Sequence, residues 1–202
     1  MKTIFEPINT TQTINKSEFI THLYKVSSID EVNELLAKTK KTYYDATHNV
    51  YAYIIGFNQE IKKASDDGEP SQTAGIPILN VLEKNNLTNI LCIVTRYFGG
   101  IKLGAGGLVR AYSSSASLAL TEAKFLELTK IYRIEIKTNY QSVNTILKHM
   151  ETYKLYNKLF LDEIYLYYEI KIEDFDSISL NLKDISKNQA EIKILEELTL
   201  FL

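Results

Sequence analysis

The sequence predicts an α+β fold in two domains, and three observations carry that reading. All eight glycines lie between Gly56 and Gly107, and the prolines are Pro7, Pro70 and Pro77, so the chain beyond Gly107 contains neither residue. Stretches with the apolar period of a strand and of a helix follow one another along the whole chain. Beyond residue 125 their order is β-α-β-β-α-β, the ferredoxin-like split unit. A composition change that sharp marks two differently built domains, expected at 1–124 and 125–202. No Gly/Ser linker lies between them, so a tight join is expected.

In the first domain, residues 17–26 read as a strand. Ser28 and Glu31 form a capping box ahead of a stripe of Ile29, Val32, Leu35 and Leu36, so a helix follows. Residues 49–56 read as a strand and 60–65 as its hairpin partner, leading into the polar loop Asp66–Gly75. Pro77 suits the first turn of a helix carrying Ile78, Val81 and Leu82. Residues 89–98 are mostly apolar, as a strand buried on both faces is, and a helix is expected from about Leu108 to Ala123. In the second domain Tyr132, Ile134 and Ile136 alternate with Arg133, Glu135 and Lys137. Val143, Ile146, Leu147 and Met150 make a helical stripe. Residues 155–161 and 164–172 read as strands, the latter with Tyr165 and Tyr167 opposite Leu166. Ile178, Leu182 and Ile185 mark a second helix, and Ile192 and Ile194 a last strand.

Composition removes several function classes. Lys and Arg total 23 against 25 Asp and Glu, a net charge of -2, which disfavours coating of nucleic acid by bulk charge. The single cysteine, Cys92, excludes an internal disulfide and a cysteine-based zinc or iron–sulfur site. It stands between Leu91 and Ile93 in an apolar strand, so a buried, inert thiol is expected. The N-terminus lacks an apolar core of signal-peptide length, and no run of ~18 apolar residues occurs. A cytoplasmic protein with no membrane contact is therefore expected. No metal and no cofactor are expected. No catalytic residue is assigned, because neither a Ser/His/Asp order nor a nucleophile elbow stands out.

The segment Thr95-Arg96-Tyr97-Phe98-Gly99-Gly100-Ile101-Lys102-Leu103-Gly104-Ala105-Gly106-Gly107-Leu108-Val109-Arg110 is the most informative. Its five glycines sit between a predicted strand and a predicted helix, where freed backbone N–H groups and the helix N-terminus favour an anion. The segment is neither a Walker loop nor G-x-G-x-x-G. Glycines also permit a tight turn and close helix–sheet packing, so both readings stand. Only three residues are Arg, namely Arg96, Arg110 and Arg133, against 20 Lys, and two of them bracket this segment. A guanidinium offers a planar donor fork for phosphate or carboxylate. It serves equally as a structural partner of Asp66, Asp67 or Glu69. The acidic turn Asp66-Asp67-Gly68-Glu69-Pro70 is not an EF-hand pattern and reads as a cap for the next helix or a partner of Arg96. His48, ahead of a strand, reads as a hydrogen-bonded structural histidine.

Lys16-Ser17-Glu18-Phe19-Ile20, Asp45-Ala46-Thr47-His48-Asn49, Asp67-Gly68-Glu69-Pro70-Ser71, Thr73-Ala74-Gly75 and Thr95 through Gly104 look like the signature of the YigZ/IMPACT family. The match runs in order over about residues 16–123. The resemblance implies a first domain similar to the domain-two fold of a small-subunit ribosomal protein, shared with translation factors. It also implies a second domain similar to a ferredoxin-like domain of elongation factor G. Eukaryotic IMPACT regulates translation initiation in amino-acid starvation and carries an additional N-terminal partner-binding domain. Only fifteen residues precede Lys16, so that domain is expected to be absent and its partners are not carried over. Gln72 stands where the family usually has Gly, a departure that bears on the shape of the acidic turn.

The expectation is a translation-associated regulatory protein that binds RNA or the ribosome through Arg96, Gly99, Gly100, Lys102, Gly104, Gly106, Gly107 and Arg110, with His48, Asp67 and Glu69 as accessory residues. The alternatives are a protein-binding regulator without nucleic-acid contact and an enzyme on a phosphorylated small molecule.

Overall fold

The computed structural model describes residues 1–202. It is a mixed α/β chain with two antiparallel sheets, and it divides into two compact units, Met1–Glu127 and Leu128–Leu202.

The first unit opens with β1 (Lys2–Ile4), β2 (Ile8–Ile14) and β3 (Ser17–Lys25). The β2–β3 turn is Asn15-Lys16, both at positive φ (46° and 65°), the geometry that matches hairpin twist in a two-residue loop. Helix α1 (Ile29–Thr42) follows, with Ser28 Oγ accepting the Glu31 N–H, while the Glu31 carboxylate takes the N–H of Ser27. Strands β4 (His48–Ile55) and β5 (Ile61–Ser65) form a hairpin. Helix α2 (Gly75–Lys84), strand β6 (Ile90–Tyr97) and helix α3 (Gly104–Thr121) complete the layers. The sheet order is β2-β3-β6-β4-β5. Central β6 is covered on both faces, which explains its unbroken apolar run. Cys92 and Val94 join Phe19, Val50, Ile78 and Leu108 beneath α2 and α3, while Leu91 and Ile93 pack with Val32 of α1. Strand β7 (Phe125–Thr138) begins in this unit, where Phe125 and Glu127 pair with Ile4 and Lys2.

The second unit holds the rest of β7, then α4 (Val143–His149), β8 (Lys154–Phe160), β9 (Ile164–Lys171), α5 (Phe175–Ile185) and β10 (Glu191–Phe201). Its element order is the β-α-β-β-α-β read from the sequence. The antiparallel strand order is β10-β7-β9-β8. Ile134, Ile136, Ile146, Leu166, Tyr168, Ile178 and Leu182 fill its core. On the other sheet face Arg133 donates to Glu169 through Nε and Nη2, at 3.0 Å each, and Lys154 donates to the same carboxylate at 2.8 Å.

One expectation needs correction. Helix α3 starts at Gly104, not near Leu108, so Gly104, Gly106 and Gly107 form its first turn rather than a loop. Glycine's poor helix propensity hides this start; burial of Leu108, Ala111 and Tyr112 against the sheet imposes it. Strands β1 and β2 carry little sequence signal: β1 is three residues long, and β2, Ile8-Asn9-Thr10-Thr11-Gln12-Thr13-Ile14, is Thr-rich and only half-buried on its inner face. There Gln12 reaches Ser114 Oγ of α3 at 3.1 Å.

Candidate anion pocket at the open end of helix α3

Strand register builds the site. Arg96 stands opposite Phe19 of β3 and opposite His48 of β4, so the three share one row on the sheet face beneath α2 and α3. The polar turn after β5 covers the end of that row, and each of its three acids has a separate task. Asp66 accepts the N–H groups of Ala74 (3.1 Å) and Gly75 (2.8 Å) and so caps α2, whose cap residue supplies no side-chain bond. Asp67 fixes β4 and α1, its carboxylate accepting from the Asn49 N–H at 2.7 Å and from Lys40 Nζ at 2.8 Å. Glu69 turns inward. Its Oε1 accepts Arg96 Nη1 at 2.6 Å and the Tyr112 hydroxyl at 2.7 Å. Burial, reinforced by that bond, pushes the Tyr112 pKa far up, so its hydroxyl stays a donor.

His48 is held in one tautomer. Its Nδ1–H donates to the Asp67 carbonyl at 2.8 Å, which leaves Nε2 toward the pocket, 3.8 Å from Glu69 Oε2. Opposite lies the beginning of α3. Leu103 at its cap provides no side-chain acceptor and the first turn holds no acidic residue, so no side chain satisfies the first N–H groups. Lys102 stands exposed beside them. Phe98, Leu103 and Leu108 add apolar walls to a pocket of about 380 Å³ with Arg96, Glu69 and His48 at its base.

Of the residues expected at an anion site, Arg96, Lys102, Gly104, His48 and Glu69 line this pocket, and Asp67 reaches it through His48. Gly99, Gly100, Gly106, Gly107 and Arg110 do not line it. Gly99 is a packing residue: its N–H donates to Ser17 Oγ at 3.2 Å, and a Cβ there would fall 2.0 Å from the Lys16 carbonyl. Gly104 sits at φ +68° in open space, where the chain turns into the helix. The exposed Arg110 guanidinium lies along the helix near Gly106. Arg96 takes the structural role, paired with Glu69 of the three acids named as its partners. Sequence reasoning missed Tyr112 and the walls Phe98, Leu103 and Leu108; only Phe98 carried a signal, its place beside Gly99-Gly100.

The family model described as the Impact N-terminal domain matches residues 15–120. The chain belongs to the IMPACT family. IMPACT family member YvyE of Bacillus subtilis is 54% identical over 121 residues, 60% of this chain and 55% of the relative's length. An IMPACT family member of Haemophilus influenzae is 31% identical over 91% of both chains. A solved structure described as "Crystal structure of an hypothetical protein" matches with a TM-score of 0.61 at 27% identity, covering 96% of this chain and 97% of that one. Every pocket residue discussed above lies inside the matched Impact N-terminal segment. No helix is long and apolar enough to cross a membrane.

Proposed function

We propose that this chain is a cytoplasmic, translation-associated regulatory protein that engages RNA or the ribosome by seating a phosphate at the open end of α3. One observation carries the reading. Lys102 and the uncapped first turn of α3 converge on one pocket whose floor carboxylate is already neutralised by Arg96. Uncapped helix N–H groups beside an exposed ammonium favour a phosphate. The net charge of -2 disfavours broad electrostatic coating and is compatible with a local contact. The test is co-sedimentation with ribosomal subunits and binding of single-stranded RNA by the wild type and by Lys102→Ala. Binding that weakens in the variant supports the reading, and equal binding by both overturns it.

A second reading, an enzyme on a phosphorylated small molecule, is favoured by the juxtaposition of His48 Nε2 and the buried Glu69 carboxylate beside the same seat. Its test is turnover of phosphomonoesters that disappears in His48→Ala.

A further inference from the structure

The shape of the pocket narrows the ligand. A protein that tracks a run of single-stranded RNA carries a basic groove with several aromatic platforms. Here Lys102 is the one exposed cation among the lining residues, and Phe98 is the one Phe, Tyr or Trp ring, His48 being tied to the Asp67 carbonyl. The volume of about 380 Å³ lies at the low end for small-molecule sites, roughly 300–1,000 Å³. Phe98 is 46% exposed although it walls the pocket, and the Arg96 guanidinium carbon lies 5.6 Å from its ring centroid. Leu103, Leu108 and Pro70 extend the apolar wall. An independent feature is an unpaired donor in the pocket floor. Arg96 lines the pocket at 5% exposure, its Nη1 and Nη2 are bonded to Glu69 and Ser17, and its buried Nε–H has no partner. A buried unsatisfied donor is costly, and a site for a polar ligand is one setting in which it persists.

We infer that the pocket takes a single nucleotide unit, a nucleoside monophosphate, with its phosphate at Lys102 and the first turn of α3 and its base against Phe98. This rests on the phosphate seat proposed above and adds the base. The same chemistry has two sources, a free nucleotide and the 5′-phosphorylated end of an RNA chain. Glu69 does not repel the phosphate as a lone carboxylate would, because its charge is matched by Arg96 at 2.6 Å.

The experiment is titration calorimetry on the full chain with inorganic phosphate, adenosine, adenosine 5′-monophosphate and a short oligoribonucleotide with or without a 5′-phosphate. The expected result is that the monophosphate binds at least tenfold tighter than phosphate or adenosine. Phe98→Ala should weaken the monophosphate by about tenfold, within the range for base–aromatic stacking, and leave phosphate binding unchanged. Phe98→Tyr should restore it, and melting curves confirm that the variants fold. An oligoribonucleotide that binds only when 5′-phosphorylated assigns the chain end. Binding of the mononucleotide without either oligoribonucleotide assigns the free nucleotide. Monophosphate binding no tighter than phosphate, or unaffected by Phe98→Ala, overturns the inference while leaving the seat intact. Absence of phosphate binding together with an inert Lys102→Ala removes the seat itself.

Discussion

Arg96 donates to Glu69 across 2.6 Å with the two side chains only 6% and 3% exposed, and this pair divides the cations of the glycine-rich segment into two kinds. Arg96 is floor. Lys102 and Arg110 are exposed. Removing Glu69 strands a buried guanidinium and also deprives the Tyr112 hydroxyl of its acceptor. Glu69→Ala and Arg96→Ala should each cost about 3–5 kcal/mol in urea denaturation, as breaking one side of a buried pair does. Lys102→Ala and Arg110→Ala should stay within about 0.5 kcal/mol of the wild type. A double replacement of Glu69 and Arg96 by Leu and Met should cost less than the sum of the single losses. Four variants of equal stability would contradict the assignment.

The glycines separate in the same way. At Gly99 a Cβ meets Lys16 backbone at 2.0 Å, and Lys16 is pinned at φ 65° in the hairpin turn. Gly99→Ala should therefore destabilise by about 1–3 kcal/mol or more through overpacking. Gly106 has a helical backbone and open space, its nearest neighbour being Arg110 Nη1 at 3.9 Å. Gly106→Ala should raise stability by about 0.5–1 kcal/mol. Melting temperatures of the two variants, moving in opposite directions, check this.

His22 links the fold to pH. It is 4% exposed, its Nδ1 lies 2.6 Å from Asn9 Oδ1, and its buried Nε2 has no partner. Burial lowers its pKa below the ordinary 6.5. The unfolded chain thus binds the proton more readily, so this contribution to stability is complete above pH 6.5 and is lost as pH falls toward the depressed folded value. Urea midpoints should fall between pH 7.5 and pH 5.5, and His22→Gln should flatten that dependence. An unchanged slope in the variant would assign the pH effect elsewhere.

Cys92 lies fully buried mid-strand, and burial pushes its thiol pKa far up. The thiolate is the reactive form, so the native chain should resist a thiol reagent at pH 8. One equivalent should react at once in denaturant. Rapid native labelling would show that β6 opens locally.

Much of the fold was legible because both periods were clean. The run from β7 to β10 could be read from the alternation of Ile134 and Ile136, the stripe of Val143, Ile146 and Met150, and the later sets around Leu166, Ile178 and Ile192. The candidate site was legible only by residue type. Sequence leaves Arg96 open between a phosphate and an acid and offers Asp66, Asp67 and Glu69 as the acid; the choice among the three is made by backbone, with Asp67 at φ 44° and Gly68 at φ 91° turning Glu69 inward. Gln72, where the family usually has Gly, holds a left-handed backbone at φ 62°, which shows what the glycine would serve there. Tyr112 was invisible because helical period explains its buried ring and says nothing of a hydroxyl partner on a distant turn. The start of α3 was hidden because tertiary burial, not local propensity, forces four residues with three glycines into a helical turn.

A phosphate held by a cation displaces counterions, so the slope of log affinity against log salt counts the contacts. If Lys102 meets phosphate, Lys102→Ala should reduce the magnitude of the slope for single-stranded RNA by about 0.7 and leave melting unchanged. Arg110 lies outside the pocket, and its guanidinium lies near Gly106 in the first turn of α3. Arg110→Ala should reduce the slope only for RNA long enough to pass beyond the pocket, whereas Lys102→Ala should reduce it for a mononucleotide as well. Glu69→Ala gives the counterpart. It bares the Arg96 charge at the pocket base, so any fraction that remains folded should bind phosphate more tightly even as the protein melts earlier. Anisotropy titrations at four salt concentrations, with melting curves on the same samples, separate these effects. Slopes that are identical for the wild type and Lys102→Ala, with both fully folded, would leave the first turn of α3 as a packing device alone.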